Sequence, residues 1–236
     1  MEPRRFFTAA EDRIGMMQVL VVLLCAHMTA DFLLQSNWMA QNKSRTIPLL
    51  SHSFTHFLTS WVFLWDLSLW PLCLFIGGVH TLLDFTKQKI GPSWKPFAAD
   101  QALHIVSIAA ATWLFGRFGF LDAYEIAPLF YKAQVFVSGI SVTTLGIFYF
   151  LFKFSPEFPF DKKRAGAEKT LRGILFVFVA LLHFSWFFLP AALPAALAHL
   201  LFSLKDKAPL RTFISIFGTV VTGLLALWAL NLLPAR

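Results

Sequence analysis

Residues Ile14 to Leu34 read IGMMQVLVVLLCAHMTADFLL, an apolar stretch whose second half carries His27 and Asp31. A transmembrane helix needs about 20 consecutive, mostly apolar residues. Residues four apart lie on one face of a helix, so His27 and Asp31 share a face. The stretch therefore predicts a membrane-spanning helix with a polar patch near one end, and ionisable groups in such a helix usually mark a functional site.

Further apolar runs of similar length follow along the chain. They cover residues 47–65, 71–89, 100–120, 128–152, 171–188 and 210–232. A shorter apolar segment at 190–204 contains two prolines and predicts either an eighth span or a re-entrant hairpin. We predict an all-α fold, a polytopic integral membrane helical bundle with seven or eight transmembrane helices.

The length of the chain fits a single membrane domain over residues 1–236. Within it we expect an amino-terminal tail at 1–13 and a four-helix half at 14–120 that bears the site. Carboxy-terminal helices follow at 121–236, with a basic loop at about 153–172.

The composition supports a membrane protein and argues against nucleic-acid binding. Hydrophobic residues make up 57% of the chain and charged residues 14%, whereas a soluble domain carries about 25% charged residues. The net charge is +7, but the basic residues lie between apolar runs and no nucleic-acid-binding motif is present. Most basic loops fall on one side if the amino terminus is outside, so we expect that orientation.

Four pairs of ionisable residues share the same spacing of four. The pairs are His27 with Asp31, His52 with His56, His80 with Asp84, and Asp100 with His104. They alternate between the end of one predicted helix and the start of the next. Because consecutive spans run in opposite directions, the four pairs are expected to meet near one membrane face, on the cytoplasmic side in the orientation above.

A divalent metal would compensate the cost of burying these groups. One Asp near the centre of a spanning helix costs about 2.5–3.5 kcal/mol, and imidazoles and carboxylates are ligands for Zn, Fe and Mn. We predict one or two divalent ions, Zn in preference to Fe or Mn. The predicted ligands are His27, Asp31, His52, His56, His80, Asp84, Asp100 and His104.

Eight groups exceed one tetrahedral shell, so two arrangements stay open. Either two ions about 3.5–4 Å apart share the ligands, or some aspartates orient the ligating histidines. The alternative without metal is that the pairs hydrogen-bond and pin the helices together.

Polar neighbours extend the predicted site. Gln35, Lys43, Lys87 and Gln101 are candidate substrate-binding residues, because a phosphate or carboxylate needs such donors beside a metal. The competing interpretation is that the lysines reach to the membrane surface, with Lys87 paired to Asp84. Nothing in the sequence pairs with His199.

Several of these motifs together resemble a known family. They are His27-x-x-x-Asp31-Phe32-x-x-Gln35, Ala40-x-x-Lys43, His52, His80-x-x-x-Asp84-x-x-Lys87 and Asp100-Gln101-x-x-His104. The chain resembles bacterial inner-membrane proteins catalogued as domain of unknown function 3307. The resemblance implies a multi-pass protein of the bacterial inner (plasma) membrane, and it implies no reaction. A remoter likeness is to bacterial membrane-bound metal-dependent hydrolases, by analogy of histidines and acids at helix ends.

The leading functional hypothesis is a metal-dependent hydrolase that acts at the cytoplasmic leaflet on a lipid or lipid-phosphate ester. Asp31 or Asp100 would be the catalytic ligand, orienting group or general base. The expected partner is membrane lipid, and the sequence identifies no protein partner. The alternatives are a divalent-metal or proton transporter or channel, a membrane di-iron oxidoreductase, and a structural membrane protein with polar helix clamps.

Overall fold

The structure, a computed structural model, describes residues 9–87, 93–122, 124–154, 162–204 and 209–233. The regular secondary structure of these residues is entirely helical, which confirms the all-α class. The α-helices are α1 (Ala9–Thr29), α2 (Asn37–Asn42), α3 (Thr46–Leu64), α4 (Trp70–Lys87), α5 (Trp94–Arg117), α6 (Pro128–Ser141), α7 (Ile147–Phe154), α8 (Lys162–Leu181), α9 (Leu189–Leu204) and α10 (Pro209–Leu230).

Two π-helical segments and two 3-10 turns complete the order. The first π segment, Ala30–Leu34, continues α1, and the second, Val142–Gly146, joins α6 to α7. The 3-10 turns are Leu67–Leu69 before α4 and Trp186–Phe188 before α9. Single π turns inside helices often occur at functional sites.

Within the residues that the structure describes, five helical segments are long and apolar enough to cross a membrane. They are Arg13–Leu34, Leu67–Lys87, Trp94–Arg117, Pro128–Phe154 and Leu210–Leu230. Helix α3 is not among them, because its Ser, Thr and His side chains lower its mean hydropathy. The segment predicted at 190–204 is one continuous short helix, α9, with Pro194 inside it. Its 16 residues are fewer than the about 20 that a span needs.

The predicted bounds of the basic loop need correction, and part of the predicted amino-terminal tail lies outside the described residues. The basic loop expected at 153–172 is shorter, because residues from Lys162 onward already belong to α8. Lys and Arg are good helix formers, so a basic segment need not be a loop. Residues 1–8 of the predicted tail, and 155–161 of the loop, lie outside the described residues.

Local signals set the hairpin of α3 and α4. Pro48 lies in the first turn of α3, where its missing N–H costs nothing. Helix α3 ends at Leu64 and is capped by Trp65, whose φ of 53° is left-handed. The Asp66 carboxylate then accepts a hydrogen bond from the Ser68 N–H at 2.8 Å. Pro71 lies in the first turn of α4. The tight connection makes α3 and α4 antiparallel neighbours.

Helix α1 is central to the packing of the amino-terminal half. It contacts α3, α5 and α6, while α8, α9 and α10 form a second group that joins through α6. Val22, Leu23 and Leu72 are fully or almost fully buried in the shared core. Cys25 and Cys73 are free and buried, as expected of small core residues.

Candidate metal centre

Four helices bring the eight predicted ligands together, and all eight side chains are buried. His27 ends α1, and Asp31 lies on the π segment that follows. His52 lies in the second turn of α3 and His56 next to its midpoint, and the Asp100–His104 pair lies in the amino-terminal half of α5. The His80–Asp84 pair lies towards the end of α4. We call these eight residues the His/Asp cluster.

One set of four ligand atoms lies around Asp31. The Asp31 Oδ1 lies 3.2 Å from His52 Nε2 and 3.1 Å from His56 Nε2. His52 Nε2 in turn lies 3.0 Å from His80 Nε2. The four residues Asp31, His52, His56 and His80 each offer one ligand atom, and these atoms all lie within 4.8 Å of one another.

A second set shares His80. It consists of His80, Asp84 and His104, again with ligand atoms within 4.8 Å of one another. Asp84 Oδ2 lies 3.4 Å from both His52 Nε2 and His80 Nε2. Ligand atoms on a tetrahedral zinc ion are about 3.3 Å apart, given Zn–N bonds of about 2.0–2.1 Å. The spacing in both sets therefore fits a metal of this size.

His27 is the least satisfied member of the cluster. Both of its ring nitrogens are buried without a hydrogen-bond partner among the described residues. Its ring centroid lies 5.1 Å from those of His56 and His104, and its Nε2 lies 3.6 Å from Asp31 Oδ2. A buried polar atom without a partner costs about 1–3 kcal/mol, so His27 points to a ligand that it would bind or orient.

The two predicted lysines form ion pairs with the cluster. Lys43, in the loop after α2, donates from Nζ to Asp84 Oδ2 at 2.6 Å. Lys87 pairs with Asp100 of α5, so the expected pairing with Asp84 on its own helix is wrong. A carboxylate on a neighbouring helix is closer here than one a turn away on the same helix.

The two predicted glutamines also contact the cluster. Gln101 Nε2 donates to Asp31 Oδ2 at 3.0 Å. Gln35 Nε2 lies 3.4 Å from both ring nitrogens of His52. All four candidate substrate-binding side chains therefore lie at the cluster, where they orient its ligands.

The three carboxylates of the cluster are not compensated equally. Asp84 has Lys43 and Asp100 has Lys87 as cationic partners. In the described part of the chain, the partners of Asp31 are three histidines and Gln101, with no lysine or arginine. A buried carboxylate needs a countercharge, so Asp31 is the carboxylate of the cluster that a bound cation would compensate.

Sequence reasoning missed a second buried polar group, in the carboxy-terminal half. Arg172 is fully buried and donates to Glu168 Oε1 at 2.7 Å and to the Thr143 carbonyl at 2.7 Å. Ser215 Oγ lies 2.9 Å from Glu168 Oε1 and 3.0 Å from His199 Nε2. We call Glu168, Arg172, His199, Arg211 and Ser215 the carboxy-terminal ion network. Its signal in the sequence is the spacing of four between Glu168 and Arg172 at the start of an apolar run.

Fold and site together define an all-helical protein with apolar helices of membrane-spanning length and a buried His/Asp group able to hold a metal ion. Residues 19–124 match the sequence profile of a family described as "Protein of unknown function (DUF3307)". The resemblance carried by the paired motifs is thus confirmed over this segment, which contains the whole His/Asp cluster. No curated protein and no solved structure matches the chain.

Proposed function

We propose that this protein is an integral membrane metal-dependent hydrolase that acts at the cytoplasmic leaflet on a lipid or lipid-phosphate ester. The observation that carries the proposal is Asp31, a buried carboxylate with His52 and His56 at 3.2 and 3.1 Å and with no lysine or arginine partner among the described residues. Nitrogen and oxygen ligands at this spacing suit Zn, with Fe or Mn as alternatives.

The proposed setting is the bacterial inner membrane, with seven or eight spans and the amino terminus outside. Five helices meet the length and hydropathy of a span. Helix α3 adds an exposed apolar stripe at helical spacing, formed by Leu50, Phe54 and Leu58, which is typical of a face that contacts lipid. Helix α8 would be a seventh span, and the short α9 would be an eighth only as a partial or re-entrant span. The cluster would lie near the cytoplasmic face.

The number of ions follows from how the two sets share His80. One imidazole Nε2 binds one ion, so His80 belongs to one set at a time. A first ion is best served by Asp31, His52, His56 and His80, and a second would rely on Asp84 and His104. A bound divalent ion would lower the pKa of a coordinated water towards about 7 and stabilise the developing oxyanion.

The chain's own residues would position the substrate and move the proton. Asp100 is paired with Lys87 and lies 3.4 Å from His104 Nε2, so it is placed to orient that ring or to accept a proton from water. Lys43 and Lys87 would release their carboxylates to hold the anionic group of the substrate.

Metal analysis of the detergent-purified protein tests the proposal. We expect one or two Zn ions per chain in the unaltered protein and loss of metal in the His52→Ala/His56→Ala double variant. His183→Ala is the matched control, since His183 bonds Asn231 at 3.0 Å and lies outside the cluster. Absence of metal from the unaltered protein, or hydrolysis of lipid-phosphate esters that is unchanged in the double variant, would refute the proposal.

A structural role is the second candidate, and the lysine ion pairs favour it. Lys43 with Asp84 and Lys87 with Asp100 already neutralise two carboxylates and tie α4 and α5 to their neighbours. In that case the double variant would unfold at lower temperature while the unaltered protein carries no metal.

Transport is less well supported, because Val22, Leu72 and Ile108 form an apolar core further along these helices. The buried hydroxyls of Thr59 and Thr112 in the same region bond to carbonyls of their own helices. A di-iron oxidoreductase would differ from the proposed hydrolase by iron content and a visible absorption band.

A further inference from the structure

Helices α5 and α7 pack together at the end of α5 that carries Asp100 of the His/Asp cluster. The Trp94 ring lies 5.6 Å from that of Phe154, and the Phe97 ring lies 6.4 Å from that of Phe150. These aromatic contacts bring Lys153 of α7 close to Phe97 of α5, with its Nζ 5.9 Å from the ring centroid. A residue outside the family-matched segment is thereby placed next to the site.

Lys87 lies against the same ring. Its Nζ is 5.6 Å from the Phe97 centroid, while it also pairs with Asp100. The Lys153 ammonium lies against this ring as well, and its charge interacts with those of Lys87 and Asp100. Among the described residues only Lys87 forms an ion pair with Asp100, which leaves one positive charge at Phe97 without an ion-pair partner there.

Water screens this charge less than it would screen one on the open surface. Lys87, Lys153 and Phe97 are all half-buried, and a charge in such a place needs a partner more than an exposed one does. Both lysines keep a partly exposed side chain, so a ligand can reach them from the surface. An anion is the ligand that the charge balance calls for.

We propose that Lys87, Lys153 and Phe97 form a subsite for the phosphate group of a membrane lipid, next to the metal centre. The inference rests on the proposed function and names its substrate class. Trp94 and Lys153 lie at helix ends, and Trp and Lys at helix ends are typical of the headgroup layer of a bilayer. The lipid phosphate would take the place of Asp100 as the partner of one ammonium, and Asp100 would be freed beside His104.

The experiment is a binding titration of the full chain in zwitterionic detergent micelles. The ligands are a short-chain phosphatidic acid, the matching phosphatidylcholine and inorganic phosphate. The variant is Lys153→Gln, and the matched control is Lys132→Gln. Lys132 is likewise half-buried and lies 5.2 Å from an aromatic ring, that of Phe184, but at the opposite end of the helical unit formed by α6 and α7.

We expect Lys153→Gln to weaken phosphatidic acid binding about tenfold, because one charge-assisted bond to phosphate is lost. Lys132→Gln should bind like the unaltered protein, and phosphatidylcholine should bind both variants equally. Equal affinities of the Lys153→Gln and unaltered proteins for phosphatidic acid would overturn the subsite. Inorganic phosphate that binds as tightly as phosphatidic acid would overturn the lipid as its source.

Metal content measured on the same samples separates this proposal from the one on which it rests. Lys153→Gln should retain as much metal as the unaltered protein, since Lys153 contacts none of the candidate ligands directly. Metal retained with unchanged lipid binding would refute the subsite alone, whereas absence of metal from the unaltered protein would refute the hydrolase.

Discussion

The two halves of the chain bury charge in different ways. In the carboxy-terminal ion network the cation belongs to the chain: the Arg172 guanidinium bonds a carboxylate, a hydroxyl and two backbone carbonyls. In the His/Asp cluster three carboxylates face five imidazoles, and in the described part of the chain two of the carboxylates have a lysine partner. In the first group the buried Glu168 carboxylate is thus compensated by arginines of the chain, whereas the second group leaves Asp31 without a lysine or arginine among the described residues and could hold a metal ion.

The π segments explain part of this difference. The second one, Val142–Gly146, presents the Thr143 and Thr144 carbonyls to Arg172. The first one, Ala30–Leu34, carries Asp31 towards histidines of α3. In one half, a π segment thus supplies carbonyl acceptors to the Arg172 guanidinium. In the other half, a π segment positions Asp31, which has no lysine or arginine partner among the described residues.

Arg172→Met should have the largest effect on stability. It leaves Glu168 buried without its main cation, and breaking a buried ion pair costs about 3–5 kcal/mol. Lys169→Met is the control on the same helix; Lys169 lies 3.7 Å from the Phe148 ring centroid, and losing that contact should cost about 1 kcal/mol or less. Denaturant unfolding of both variants in detergent measures the difference. Equal stabilities of the two variants would show that Arg172 does not compensate the buried charge of Glu168.

Zinc added to metal-free protein should have the next largest effect on the free energy of unfolding. We expect this effect to depend on the His/Asp cluster. A ligand at about 100 times its dissociation constant stabilises the folded state by about 2.7 kcal/mol. We expect this increment in the unaltered protein and in Lys169→Met, and its loss in His56→Ala. Thermal unfolding with and without zinc measures it. An increment that survives in His56→Ala would place the metal outside the cluster.

Much of the His/Asp cluster could be predicted because spacing and antiparallel order are visible in a sequence. His52 and His56 share a helix face, and consecutive helices return each pair to the same end of the bundle. The partners of Lys43 and Lys87 could not be predicted, since they depend on how neighbouring helices rotate against each other. The same holds for Arg172, whose neighbours Thr143 and Ser215 are distant in the chain.

The fold was predicted in class and less well in its boundaries. Apolar runs indicate spans, but hydropathy does not show that Asp31 lies on a π turn or that a basic segment continues as helix into Arg172. Helix ends depend on caps and tertiary contacts, such as those at Trp65 and Asp66.

His27→Leu should have effects of opposite sign with and without metal. In metal-free protein we expect the free energy of unfolding to rise by about 1 kcal/mol, because two buried nitrogens without partners are removed. Zinc affinity should fall about tenfold, the loss typical of removing a residue that binds or orients a ligand. Unfolding of the metal-free form and a zinc titration give the two values. A fall in both would mean that His27 has a purely structural role.

Gly146→Ala should have the smallest effect, and it tests whether the two π segments communicate. A Cβ on Gly146 would lie 3.0 Å from the Phe32 ring, whose neighbour in the chain is Asp31. The ring must shift by a few tenths of an ångström, so we expect zinc affinity to fall by about twofold to threefold, or less than about 1 kcal/mol.

Gly166→Ala is the matched control for this change. A Cβ there meets nothing within 4 Å, so it should stabilise α8 by about 0.5–1 kcal/mol and leave zinc binding unchanged. Zinc titration of both variants gives the comparison. If Gly146→Ala binds zinc as the unaltered protein does, the contact between Phe32 and Gly146 is packing alone. The segment that bonds Arg172 would then have no influence on metal binding at Asp31.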